Sequence, residues 1–88
     1  MSDGFRQRPV ADRVDRDGEC VVLVGDTVTR LSALATHLLD LCADWADAET
    51  LAGHLVDRFG APPDGTDPRV AVESAADLLV VQGLLERR

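Results

Sequence analysis

The hydrophobic pattern of the chain changes at Leu31 and Ser32. Before this point, short runs rich in β-branched residues are separated by tight-turn pairs, whereas after it apolar residues recur every three or four positions. The first pattern is typical of β-strands and the second of amphipathic helices. Because the chain has 88 residues, this order leaves room for one domain in which a small sheet precedes a set of helices.

Three runs before Ser32 are predicted to form an antiparallel meander. Residues 10–16 alternate, and the Asp-Gly pair that follows tolerates the positive φ angles of a two-residue turn. Residues 19–24 are apolar on both faces, which is typical of a central strand. After a Gly-Asp pair, residues 27–31 complete the meander. The first and third strands are therefore edges, which present unpaired backbone donors and acceptors.

Three helices are predicted after the meander, each beginning with a side chain that can accept a hydrogen bond from the first turn. The predicted N-caps are Ser32, Asp47 and Asp67. The first helix is expected to end near residues 44–45 and the second at Gly60. The third begins with Pro68 at its first position, runs to about Gln82 and is ended by Gly83.

This order predicts an α+β fold of the winged-helix type, in which a three-stranded antiparallel meander precedes three helices (βββααα). Residues 1–9 carry charges, a glycine and a proline without periodicity, so we expect a flexible N-terminal segment there. The folded domain is expected to span residues 10–88.

The charge of the chain argues against the DNA binding that a winged helix first suggests. Nine Lys+Arg stand against 16 Asp+Glu, which gives a formal net charge of -7. The predicted third helix, which would enter the DNA groove, carries Arg69 as its cation, together with Glu73 and Asp77. Because phosphate neutralisation supplies most non-specific DNA affinity, we expect no nucleic-acid partner. A DNA-binding regulator and a module that dimerises through a strand edge remain the alternatives.

The predicted third helix has apolar residues on two sides. Its core-facing stripe comprises Val72, Ala75, Ala76 and Leu79, with Leu78 at the flank. A second line at i, i+4, i+7 and i+11 comprises Val70, Ser74, Asp77 and Val81. Val70 and Val81 are either ordinary surface residues or one wall of a shallow groove beside a strand edge. Such a groove would suit an extended peptide, since the strand supplies backbone hydrogen bonds and the helix supplies side-chain contacts.

Several stretches of the sequence resemble one family of small proteins. They are LSALATHLLDL from Leu31, ETLAGHLVDRFG from Glu49, the helical stretch from Val72 to Leu79, and QGLL from Gln82. In this order and spacing they resemble the PqqD-like family, the peptide chaperones or precursor-peptide recognition elements of ribosomally synthesised and post-translationally modified peptides. The resemblance covers nearly the whole chain from about residue 10.

The resemblance implies a non-enzymatic protein without a cofactor. In the family, the leader part of a precursor peptide adds as a strand to the third strand of the meander and lies against the third helix. Carried onto this sequence, the implied peptide-binding residues are Thr27, Val28, Thr29, Arg30, Leu31, Val70, Ser74, Asp77, Leu78 and Val81. The implied partners are this leader and a peptide-modifying enzyme, which could be a radical enzyme, a protease or a cyclase. We expect a monomer or a weak dimer.

The remaining reactive residues form no recognisable catalytic or metal-binding motif. The set Cys20, His37, Cys42 and His54 contains no closely spaced pair of the kind found in zinc sites. Both cysteines fall in apolar segments and are predicted to be buried free thiols. Trp45, in the predicted turn between the first two helices, is either a partner contact or a loop-packing residue.

Membrane association is not expected from this sequence. No apolar run approaches the roughly 20 residues needed to span a bilayer, and residues 1–8 are polar. We therefore expect a cytoplasmic protein with no membrane partner.

Overall fold

The computed structural model describes residues 4–10 and 12–88, together with the side chains in these ranges except that of Asp64. Strands and helices alternate more than the sequence predicted. In chain order they are β1 (Gly4–Gln7), β2 (Asp12–Arg16), β3 (Glu19–Val24), β4 (Thr27–Leu31), α1 (Ala33–Leu41), β5 (Ala46–Asp47), α2 (Ala48–Phe59), α3 (Pro68–Val81) and β6 (Leu85–Arg87), with a short 3-10 turn at Pro63–Gly65.

The predicted meander is confirmed in the first of two sheets, in which β3 lies between β2 and β4. The turn between β2 and β3 places Asp17 and Gly18 at φ angles of 54° and 80°. Successive side chains of β3 point to opposite faces, so Cys20 and Val22 are buried while Val21 is exposed. The inner face of this sheet therefore covers the core, and its outer face is open.

A second three-stranded sheet corrects the predicted βββααα order. Here β1 lies between β5 and β6, and it pairs with both in antiparallel fashion. Residues 4–7 were expected to be part of a flexible segment, but they form β1, and Phe5 is completely buried. Burial of this large aromatic side chain stabilises the strand against the core. Residues 1–3 and 11 lie outside the described residues.

All three predicted helix caps are confirmed. The Ser32 hydroxyl accepts a hydrogen bond from the Ala35 amide at 3.2 Å. The carboxylates of Asp47 and Asp67 accept from the amides of Thr50 and Arg69 at 2.7 and 2.9 Å. These bonds satisfy amide groups that have no partner within the helix. The first helix ends at Leu41, earlier than predicted, and the chain then enters β5.

The core lies between the inner face of the first sheet, the helices and the second sheet. It comprises Phe5, Cys20, Val22, Leu31, Leu38, Leu39, Cys42, Leu51, Ala52, Leu55, Val72, Ala76, Leu79, Leu84 and Leu85. Both cysteines are buried free thiols, as predicted. Burial raises the pKa of the Cys42 thiol to about 11, so that this thiol stays protonated at neutral pH. No helix of the described chain is long and apolar enough to cross a membrane.

Candidate functional site

Strand β4 has one hydrogen-bonded neighbour among the described strands. All five of its residues pair with β3, from Thr27 opposite Val24 to Leu31 opposite Cys20. The other side of β4 is therefore an edge, with backbone groups available to a further strand. We refer to this side as the β4 edge.

The predicted residues of β4 divide between the two faces of the sheet. Leu31 is 3% exposed and shares the inner face with Thr29 and Thr27. Val28 and Arg30 lie on the outer face, where Val28 is 68% exposed. A peptide strand added at the β4 edge would likewise direct alternate side chains to the inner and outer faces.

Two contacts relate the region of α3 to the first sheet and to the residues that follow β4. Near the start of β4, a methyl carbon of Val24 lies 3.4 Å from the position that a Cβ would take on Gly83, which follows α3. Beyond the end of β4, Leu34 lines a cavity together with Ala71 and Ala75 of α3. Because α3 packs mainly against α2 and β6, its contacts leave the β4 edge open along this side.

The predicted residues of α3 point in different directions. Val70, Ser74 and Val81 form a ridge opposite the core, and Val81 is 85% exposed. Asp77 is directed towards β6, where its carboxylate accepts a hydrogen bond from Arg87 at 2.8 Å. Leu78 is 64% exposed and lies on a different side from this ridge.

Leu78, which the predicted set contained, shares its side of α3 with two alanines that this set did not contain. Ala71, Ala75 and Leu78 follow one another at i, i+4 and i+7 and therefore share one side of the helix. Ala71 and Ala75 line the cavity that Leu34 also lines, so this side of α3 faces that cavity near the start of α1. We refer to these three residues as the apolar flank of α3.

A cavity of about 280 Å³ lies where the apolar flank of α3 meets α2, and we call it the helix cavity. All of its lining residues are apolar, glycine or proline. They are Leu34, Ala52, Leu55, Val56, Phe59, Gly60, Ala61, Pro62, Pro63, Pro68, Ala71, Val72 and Ala75. A cavity with this lining favours an apolar side chain over a charged or strongly polar group.

Two large apolar residues stand at the rim of the helix cavity. Leu34 and Phe59 are 39% and 40% exposed, although their helical spacing predicts that both belong to buried stripes. The Phe59 ring packs edge-on against His37 at 5.9 Å between ring centroids, and the Arg58 guanidinium lies 5.7 Å from its centroid. Both residues stand at the ends of their apolar stripes, which is the signal in the sequence that could have identified them.

Two arginines of the first sheet form ion pairs with nearby carboxylates. Arg13 of β2 contacts both Asp40 of α1 and Asp15, at 2.8 Å in each case. Hydrogen bonds to Asp40 and Asp15 raise the pKa of Arg13 further above its usual value. Arg30 of β4 lies 3.4 Å from Glu19 of β3. The Arg13–Asp40 pair joins the sheet to α1, and the exposed surface of β4 carries Val28 together with threonines and Arg30.

The described residues contain no group of three or more His, Cys, Asp or Glu positioned to hold a metal ion. The Thr36 hydroxyl donates a hydrogen bond to the Cys20 sulfur at 3.4 Å inside the core.

The free edge of β4 and the apolar helix cavity are together the elements of a peptide-binding site. The edge offers backbone hydrogen bonds, and the cavity can accept an apolar side chain.

In comparisons with known proteins, no family model, no curated protein and no solved structure matches the chain. The resemblance to the PqqD-like family therefore rests on the residues quoted for it.

Proposed function

We propose that this protein is a non-enzymatic peptide chaperone of the cytoplasm. It binds the leader of a ribosomally made precursor peptide along the β4 edge and delivers the peptide to a modifying enzyme. The observations that carry the proposal are the free edge of β4 and an apolar cavity between α2 and α3, which Leu34, three residues after β4, also lines. The sequence resemblance adds the identity of the peptide as a leader.

Backbone pairing alone would bind such a peptide weakly. Four or five hydrogen bonds at ~0.5–1.5 kcal/mol each contribute only a few kcal/mol, whereas association costs on the order of 4–15 kcal/mol. Burial of each large apolar side chain contributes about 1.5–3 kcal/mol more. Stable binding therefore requires at least one apolar peptide side chain against α3 in addition to the strand.

The helix cavity and Leu78 can supply these apolar contacts. The cavity volume of about 280 Å³ lies at the lower end of the roughly 300–1,000 Å³ of pockets that bind whole small molecules. It therefore suits one or two side chains better than a cofactor. Because the cavity adjoins Leu34, three residues after β4 ends, the anchoring side chain would lie beyond the paired segment of the peptide.

Dimerisation through the same edge is the competing function. A second copy could pair with β4 in place of a peptide, since an edge strand is a general template for pairing. The helix cavity favours the peptide, because strand pairing between two copies would leave the cavity unused. The DNA alternative is disfavoured by α3 itself, since Arg69 contacts Glu73 at 3.3 Å and the exposed ridge carries Val70, Ser74 and Val81.

The proposal is tested by filling the helix cavity. Fluorescence anisotropy of a labelled leader peptide, encoded beside the gene for this chain, would measure affinity for the natural chain and for Ala75→Trp. The bulky ring would occupy the cavity, so affinity is expected to fall by roughly 10- to 100-fold.

Ser74→Trp is the matched control, since position 74 is exposed next to position 75 but on the solvent-facing ridge. It should leave affinity within about twofold, because surface substitutions away from a contact have small effects. Thermal unfolding of both variants would confirm that they fold. Equal affinities of the natural chain and a folded Ala75→Trp variant would contradict the use of the cavity.

A further inference from the structure

The outer face of the second sheet brings together a tryptophan and several arginines. Trp45 packs over Gly4 of β1, where its ring carbon Cε3 lies 3.5 Å from the position that a Cβ would take. The guanidinium carbons of Arg6 and Arg88 lie 4.8 and 4.4 Å from the centroid of the Trp45 ring. Arg8 continues the same edge, since its amide donates to the Leu84 carbonyl at 2.9 Å. We call Arg6, Arg8, Trp45 and Arg88 the basic face.

This face carries positive charge on a chain whose net charge is -7. Arg6 forms a 2.6 Å ion pair with Glu86 of β6. Among the described residues, Arg8 and Arg88 have no carboxylate partner. Within the part of the chain that the structure describes, the positive charge of Arg8 and Arg88 is therefore available to a ligand of opposite charge.

Stacking on Trp45 orders the guanidinium groups of Arg6 and Arg88 before a ligand binds. A guanidinium that lies over an aromatic ring keeps its N–H donors in its own plane, where they can bind a carboxylate in bidentate fashion. The ring also restricts the side chain before binding, so that less conformational freedom is lost on association. Tryptophan and arginine are moreover the residues most enriched at the energetic centres of protein interfaces.

We propose that the basic face binds an acidic segment of a partner protein. Charge complementarity carries this inference, because Arg6 and Arg88 stack on Trp45, and among the described residues of this acidic chain neither Arg8 nor Arg88 has a carboxylate partner. Duplex DNA fits less well, since its binding requires many phosphates to be neutralised and the rest of this chain repels them. The inference does not depend on the peptide proposed to bind at β4.

Helix α3 separates the basic face from the β4 edge. On one side, Asp77 of α3 pairs with Arg87 of β6, which is a strand of the second sheet. On the other side, Ala71 and Ala75 face the helix cavity. A partner bound at the basic face would therefore leave the β4 edge open, so the two sites can be occupied together.

Trp45 makes the basic face accessible to a direct test, because it is the single tryptophan of a chain without tyrosine. A labelled synthetic Glu-Asp-rich peptide would be titrated against the full chain, with anisotropy reporting affinity and tryptophan emission reporting the place of binding. We expect saturable binding that changes Trp45 emission and weakens as salt is added.

The double variant Arg8→Gln/Arg88→Gln should weaken this binding by about 10-fold, since both unpaired cations are lost. The matched control Arg16→Gln/Arg58→Gln removes the same charge from exposed positions of β2 and α2 and should change affinity by less than about twofold. Equal losses in both double variants would overturn the proposal, because they would show attraction to net charge alone. Absence of saturable binding, or tighter binding of a duplex DNA probe than of the peptide, would also overturn it.

Discussion

The two sheets of this molecule are built in different ways and present different surfaces. The first sheet uses one continuous stretch, with β2, β3 and β4 joined by tight turns, and among the described strands it ends in a free edge at β4. The second sheet joins three distant segments, β5, β1 and β6, and presents arginines around a tryptophan. A chain of 88 residues thus presents two surfaces of different chemistry, and we propose that one binds a peptide strand and the other an acidic partner.

The largest expected effect tests whether the second sheet is an integral part of the fold. Phe5 of β1 is completely buried, so Phe5→Ala should lower the free energy of unfolding by about 3–5 kcal/mol in urea denaturation. Val14→Ala in β2 is the control, because Val14 is 62% exposed and its loss should cost less than about 0.5 kcal/mol. Similar stabilities for the two variants would show that β1 contributes little to the core.

The next effect separates two sides of α3. Leu78→Asp places a charge on the apolar flank and should weaken leader binding by at least about 10-fold, because a buried apolar contact is replaced by an ion that must be desolvated. Val81→Asp places the same charge on the ridge, at an 85% exposed position, and should have a smaller effect. A greater loss for Val81→Asp in the anisotropy assay would move the peptide from the flank to the ridge.

A smaller effect tests strand pairing at β4. N-methylation of single leader residues removes one amide donor at a time, and each donor that pairs with β4 should be worth at most about 10-fold in affinity. Because only alternate residues of an added strand bond to their neighbour, sensitive positions should recur every second residue. Uniform sensitivity along the leader, or none, would exclude strand addition.

The smallest expected effect is a change in folding stability at low pH, which depends on Asp47 of the second sheet. The hydrogen bond from the Thr50 amide lowers the pKa of Asp47, which pairs with Gly4 and caps α2. The stability that Asp47 contributes is therefore fully present above its unfolded pKa of about 3.9 and is lost as pH falls through its lower folded value.

Thermal unfolding should accordingly show Asp47→Ala to be less stable than the natural chain at neutral pH, with the difference shrinking below about pH 4. Asp26→Ala, at an exposed turn of the first sheet, is the control and should follow the natural chain at every pH. A difference for Asp47→Ala that persists unchanged in acid would show that the carboxylate charge does not stabilise the cap.

The local parts of the fold could be predicted from sequence because their signals lie within a few residues of one another. The turn at Asp17 and Gly18 and the cap at Ser32 each depend on neighbours one to three positions away. The second sheet has no such signal, since β1 and β5 are four and two residues long and Arg6 meets Glu86 across 80 positions. Pairing over this distance is decided by tertiary packing.

The candidate site was predictable to a similar extent. Turn spacing located β4, and helical periodicity located the exposed residues of α3. Periodicity cannot determine which side of a helix faces a particular neighbour, because this depends on how other elements pack around it. Because β6 packs near Asp77, Ala71 and Ala75 lie on the side of α3 that faces the cavity. No local sequence pattern predicts this orientation of the helix.

The central claim, that a leader peptide adds as a strand to β4, is tested most directly by NMR. The isotope-labelled full chain would be titrated with the unlabelled leader, and amide shifts and intermolecular contacts would be recorded. We expect the largest shifts at residues 27–31 and at Leu78, together with cross-strand contacts between the leader and β4. Saturable binding that shifts the amides of β1 and β6, while those of residues 27–31 stay unchanged, would contradict the claim.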